Sequence, residues 1–232
     1  MTGVFGWLDV ADFESVGYTS GLSVGLTRVL ADLDDADLMA VAHAGWAAVP
    51  TQRVLEGASV LEHRMATSEG VAILDVRLPA GLARLRHAGD RPEVVGLRLA
   101  AVRIGLARKL LDQALGRGLC EPGRHGATTA YGVVAGEVPT GSWSLTSGRP
   151  LLHHRLTLAA IADVVAALTS RRGYLEVAAR YPSRRAVVDV HHRLTRLDWQ
   201  VAKLFGPQDD LADHPVRALF VAELVANTWV GA

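Results

Sequence analysis

Residues 187–204 read Val-Val-Asp-Val-His-His-Arg-Leu-Thr-Arg-Leu-Asp-Trp-Gln-Val-Ala-Lys-Leu, and their spacing decides the fold. Val187, Val190, Leu194, Leu197, Val201 and Leu204 alternate separations of three and four residues. That is the repeat of a helix whose apolar seam is buried against other helices. Gly206-Pro207 follows and is expected to end it. Downstream, Asp213 reads as an N-cap with Pro215 in the first turn, and Val216, Leu219, Phe220 and Leu224 share a face, so a further helix is expected.

Upstream, two more helices are legible. Pro92 to Gly116 places Val94, Leu97, Ala101, Ile104 and Leu111 on one face and Leu99, Val102, Leu106 and Leu110 on a second. A helix apolar on two faces lies between neighbours. Thr146 or Ser147 as cap, with Pro150 in the first turn, opens another helix, whose core face is read as Leu151, Leu158, Ile161, Val165 and Leu168. It is expected to run through Gly173 to Arg180, because Leu175 and Ala179 continue the pattern before Pro182.

Residues 1 to about 90 have a different texture, with short apolar runs among Gly, Asp and Pro. Asp37–Ala42 and Gly70–Pro79 read as strands. Gly21–Leu33 reads as a helix weakened by Gly25. The expected class is mainly α: an antiparallel four-helix bundle over 91–232, with a long insertion at 118–147, behind a small mixed α/β segment at 1–90.

Bulk properties narrow the function classes. The 232 residues are 50% hydrophobic and 21% charged, the balance of a folded protein. Lys and Arg total 24 against 24 Asp and Glu, without the basic excess of a nucleic-acid binder. One cysteine, Cys120, excludes an internal disulfide framework. Met1–Val10 carries no Lys or Arg, and no uninterrupted apolar run approaches ~18 residues. A cytoplasmic protein with no membrane or nucleic-acid partner is expected.

Four segments together resemble the acyl-CoA dehydrogenases, over roughly residues 70–232. Gly70–Ala80, GVAILDVRLPA, is similar to the last strand of that family's middle β domain, and Leu97–Asp112, LRLAAVRIGLARKLLD, to the first long helix of its terminal bundle. Gly148–Asp163, GRPLLHHRLTLAAIAD, resembles the start of a later helix, and Leu204–Ala232 the closing stretch. The resemblance implies the four-helix bundle, with residues 1–90 a remnant of the middle domain. It also implies FAD, a catalytic glutamate and an oligomer built through the bundle.

The departures fall on the chemistry. Where the family's R-x-Q-F-G motif contacts FAD, this chain has Ser144-Leu145-Thr146-Ser147-Gly148, and Lys203 stands where a further cofactor-touching Gln is expected. Val230 occupies the position of the usual catalytic glutamate, and valine accepts no proton. Relatives that carry the base on the first bundle helix match near Val95, where Glu93 is the nearest carboxylate. The resemblance therefore implies a dehydrogenase-like protein without the usual FAD contacts or base, a partner subunit in a homo-oligomer or in a hetero-oligomer with a complete homologue. No cofactor is expected.

Two alternatives stand beside that reading. One is a repurposed, flavin-free enzyme for an acyl or polyketide-like substrate, with Arg98, Arg103, His154, Asp198, Trp199 and Lys203 around a closed apolar cleft. The other is residual FAD-dependent dehydrogenation. Candidate acid/base residues are Glu93, Asp198 and His154. His191 and Thr195 are read on one flank of the seam and Asp198, Trp199 and Lys203 on another. A buried Asp198 near a His would make an acid/base pair, but a surface position for Asp198 beside Ala202-Lys203 is expected. The adjacent residues of His153-His154 and of His191-His192 point about 100° apart and cannot chelate one ion together. One His from each helix could, but no nearby carboxylate has clear ligand spacing, and no metal is expected. Cys120 beside Glu121 and His125 has nothing nearby to lower its thiol pKa.

Overall fold

The computed structural model describes residues 7–42, 44–76, 91–119, 155–205 and 213–231. These are mainly helical, with a small antiparallel sheet in the amino-terminal part. In chain order the elements are α1 (Trp7–Ser20), α2 (Leu22–Val29), α3 (Asp35–Val41), β1 (Trp46–Pro50), a 3-10 turn (Thr51–Arg53), β2 (Ser59–Leu61), α4 (Arg64–Ser68), β3 (Val71–Asp75), α5 (Arg91–Leu119), α6 (Arg155–Arg180), α7 (Arg184–Lys203) and α8 (Arg217–Val230).

The seam that opened the sequence reading is α7. Ser183 caps it, its hydroxyl accepting from the Ala186 amide at 3.2 Å. Val187, Val190, Leu194, Leu197 and Val201 are buried along one face. Each such side chain stabilises the fold by roughly 1.5–3 kcal/mol. The seam packs on α5, α6 and α8. As its two apolar stripes predict, α5 is enclosed: it touches α1, α2, α6, α7 and α8, and Leu97 and Leu99–Val102 are within a few per cent of fully buried. As expected, α6 runs through Gly173 to Arg180.

In the sheet, β3 lies between β1 and β2, antiparallel to both, with Trp46 opposite Asp75 and Leu61 opposite Ile73. The strand expected over Gly70–Pro79 appears as β3, and Val71–Leu74 are all buried. Gly70, at φ +68°, makes the turn into it, a conformation open to glycine. Trp229 of α8 reaches back to donate its indole N–H to the Ala48 carbonyl of β1 at 2.9 Å, and Arg217 pairs with Glu69 at 2.6 Å. These bonds tie the closing helix to the amino-terminal segment.

Three expectations are corrected. Asp37–Ala42 is not a strand: it lies in α3, where the Asp34 carboxylate accepts from the Asp37 amide at 2.7 Å and Asp35 and Asp37 sit in the positive first turn. The cap outweighs the short apolar run, in which only Val41 is β-branched. The closing helix begins at Arg217 and not with Asp213 as its cap; the His214 ring and carbonyl bond the Val216 and Arg217 amides ahead of it. On α6, Ile161 and Leu168 pack against the core, but Leu158 and Val165 are about half exposed. The helix buries Thr157, Val164, Leu175 and Ala178 instead, with Ala160 and Ala167 on the same side. Small residues let it approach its neighbours closely, so the large apolar side chains do not mark the contact face. Thr146, Ser147, Leu151 and the Gly206-Pro207 stop lie outside the described residues.

Candidate functional site

Arg103 is the largest fully buried side chain in the core. It lies mid-way along α5, the enclosed helix, and a cation there requires compensation. The compensation comes from α7. Residues 191, 195 and 198 follow one another at i, i+4 and i+7 and so share a flank of the seam. Arg103 donates through Nη1 to His191 Nδ1 at 3.0 Å and through Nη2 to Asp198 Oδ2 at 2.6 Å and Thr195 Oγ1 at 3.1 Å.

The bonds fix the state of the imidazole. His191 Nε2 lies 2.9 Å from the Gly96 carbonyl, which only accepts, so the proton is on Nε2. Nδ1 is then the acceptor for Arg103. A second proton would face a guanidinium in a dry site, and burial together with the Arg103 charge lowers the His191 pKa from 6.5 to about 3. Burial pushes the Asp198 carboxyl the other way, up to about 6, against the pull of Arg103. Among the described residues, Arg103 Nε and Asp198 Oδ1 have no hydrogen-bond partner.

Beside this cluster, between α7 and α8, opens a cleft of about 350 Å³ lined by Arg103, His192, Thr195, Arg196, Glu223 and Asn227. At one end Trp199, half exposed, meets the Phe220 ring edge-on at 5.2 Å. Trp199 with Phe220, Arg196 with Glu223 and His192 with Asn227 fit one antiparallel register, each step on α7 matched by an equal step back on α8. Arg196 and Glu223 thus face each other, yet neither makes an ion pair among the described residues.

The expected site residues are dispersed. Glu93 is half-buried in the first turn of α5. Asp198 is not on a solvated flank with Trp199 and Lys203: it is 5% exposed and paired to Arg103 on the flank of His191 and Thr195. The spacing of i, i+3 and i+4 neighbours on α7 alone hides this, because the partner comes from another helix. Trp199 and Lys203 are exposed. Arg98 pairs with Asp32 at 2.7 Å and lies over the Phe13 ring. His154, Ser144 and Thr146 lie outside the described residues. Val230 is buried at the end of α8, and a Cβ built on Gly96 would stand 3.2 Å from Val230 Cγ2 and 2.4 Å from Val187 Cγ1. Among the described residues no three His, Cys, Asp or Glu side chains are grouped to hold a metal ion, and no helix is long and apolar enough to cross a membrane.

No protein-family model matches the chain, and no curated protein matches it. Among solved structures it is similar to the crystal structure of the ChsE4-ChsE5 complex from Mycobacterium tuberculosis, at 20% identity and a TM-score of 0.46. The likeness covers 76% of this chain and 46% of that one, so this chain spans less than half the length of that relative.

Sequence reasoning named Arg103, His191, Thr195 and Asp198 separately but did not bring them together. The signal was the cation itself: Arg103 stands between Val102 and Ile104 on a helix apolar on two faces, where an unpaired charge is not tolerated. The cleft residues Arg196, Glu223 and Asn227 carried no such signal.

Proposed function

We propose that this chain is an acyl-CoA dehydrogenase-like protein that performs no flavin chemistry of its own and acts as a partner subunit, with itself or with a complete homologue. In this reading residues 91–232 are the four-helix bundle with its 118–147 insertion, and residues 1–90 the remnant of the middle domain. The observation that carries it is the packing around Val230. The resemblance offers two places for a proton-abstracting carboxylate, near Val95 and at Val230. Gly96, next to Val95, and Val230 lie against each other with Val187. Val95 and Val230 are 2% and 7% exposed, so both places are filled by buried apolar side chains that accept no proton. His191, bonded to the Gly96 carbonyl beside this point, is held neutral with both nitrogens engaged. Lys203 is an exposed cation where a carboxamide would face the flavin. The apolar packing at Val95 and Val230 and the exposed charge of Lys203 support a chain without the usual base and flavin contact.

The repurposed-enzyme alternative asks for an enclosed apolar pocket with converging polar groups. Arg103 and Asp198 are instead locked in the α5–α7 contact, Arg98 is engaged by Asp32, and the neighbouring cleft is open and polar.

Absorbance of the purified protein tests the first part. A colourless protein that stays colourless after incubation with FAD, and does not oxidise acyl-CoA thioesters, is expected; a yellow protein with a bound-flavin spectrum overturns the reading. Gel filtration tests the second. An oligomer, alone or with a complete homologue, is expected, and a strict monomer under both conditions removes the partner role.

A further inference from the structure

The cleft between α7 and α8 plays no part in that reading, and its chemistry is uncommon. Facing side chains of opposite charge on antiparallel helices ordinarily close into an ion pair. Here Arg196 and Glu223 both line the cleft, and neither makes an ion pair among the described residues. One register step away His192 faces Asn227, and on the other side the Trp199 and Phe220 rings meet edge to face. Behind the opening, Arg103 has its charge answered by Asp198 and directs another N–H to the Thr195 hydroxyl. The floor is therefore polar but nearly neutral. A volume of about 350 Å³ is that of a small-molecule site.

We propose that this cleft binds a small zwitterion, its anionic end held by Arg196 and His192 and its ammonium end by Glu223 and Asn227. A simple anion would satisfy Arg196 while lying against the Glu223 carboxylate, and a simple cation would meet the reverse conflict. A molecule carrying both charges answers both walls, and each charge-assisted hydrogen bond outweighs a neutral one. The Thr195 hydroxyl adds a donor or acceptor at the floor. A short apolar substituent would lie against the exposed face of Trp199. An amino acid has this chemistry. The inference does not depend on the relation to dehydrogenases, since it uses only residues of α5, α7 and α8.

Calorimetric titration of the full chain with glycine, β-alanine, γ-aminobutyrate and leucine, against acetate and methylammonium, tests it. Saturable binding of at least one zwitterion is expected, with acetate and methylammonium roughly tenfold or more weaker. Arg196→Gln and Glu223→Gln should each abolish that binding while leaving the circular dichroism of the chain unchanged, as Arg196 is exposed, Glu223 is half-buried and neither makes an ion pair among the described residues. Three results overturn the proposal: no saturable heat with any zwitterion, which leaves a water-filled groove; acetate or methylammonium binding as tightly as the best zwitterion; or binding indifferent to both substitutions, which places it elsewhere.

Discussion

Arg103 and Asp198 form a buried ion pair, 1% and 6% exposed at the side chain, and such a pair is held in place by what its loss would leave behind. Arg103→Met strands the Asp198 carboxylate in the core, and urea unfolding should record a loss of roughly 3–5 kcal/mol. The double variant Arg103→Met with Asp198→Leu removes both charges and should regain most of that loss. A double variant no more stable than the single one would mean that the pair is not the source. The neighbouring imidazole adds a pH dependence whose sign follows from its environment. His191 titrates at about 3 in the folded chain and near 6.5 unfolded, so between those values only the unfolded state takes the proton. Its contribution is complete above pH 6.5 and is lost as pH falls toward 3. Asp198, raised to about 6, acts in the opposite direction, gaining stability as pH falls through 6 toward 3.8. The stability difference between wild type and His191→Gln should thus be greatest at neutral pH and shrink by roughly 1 kcal/mol per pH unit below 6.5. A difference that does not change with pH would refute the neutral, buried state of the ring. The site's chemistry was half legible in the sequence. A charge inside an apolar helix announces that a partner exists, but the identity of the partner depends on how α5 and α7 are rotated against each other.

Between elements, the contact that sequence periodicity missed altogether is that of α1 with α5. Hydrophobic spacing registers large side chains, and this contact is made by their absence. A Cβ on Gly105 would stand 2.1 Å from the Glu14 carbonyl oxygen, and one on Gly17 would stand 2.2 Å from the Val102 carbonyl oxygen. The two backbones touch at these glycines, and among the described apolar side chains of α1 Val10 and Phe13 are the large ones that are buried. Backbone cannot yield as a flexible side chain can. Gly105→Ala should therefore push α1 away and lower the stability by about 1–3 kcal/mol. Gly173, inside α6, meets nothing within 4 Å, and there alanine removes only the entropic cost of glycine in a helix. Gly173→Ala should raise the stability by roughly 0.5–1 kcal/mol. Thermal unfolding of the two variants side by side should give shifts of opposite sign, and equal signs would contradict the close crossing. The α7 seam, by contrast, was legible from spacing because large residues on both sides fill its contact.

Across the whole molecule, the texture of the chain changes near residue 91, yet the packing does not divide there. The buried residues of α1, α2, the sheet and α5–α8 belong to a single apolar cluster. α5 is its axis: α1 and α2 cover it on one side, and α6, α7 and α8 on the others. The Trp229–Ala48 hydrogen bond and the Arg217–Glu69 pair add polar ties between the closing helix and the amino-terminal segment. A fragment of residues 91–232 would present to water the surfaces of Leu99, Val102 and Leu106 on a helix whose neighbours are otherwise its own, and would lose the carbonyl that satisfies the Trp229 indole. Each large apolar side chain so exposed forfeits roughly 1.5–3 kcal/mol, and a few of them equal the net stability of an ordinary domain. The fragment should consequently be aggregated, or lack a cooperative unfolding transition, while the full chain melts in one step with near-ultraviolet and far-ultraviolet circular dichroism coinciding. If the fragment unfolds cooperatively with a midpoint close to that of the full chain, then α1, α2 and the sheet are an attachment to the helices and not part of the core that holds them together.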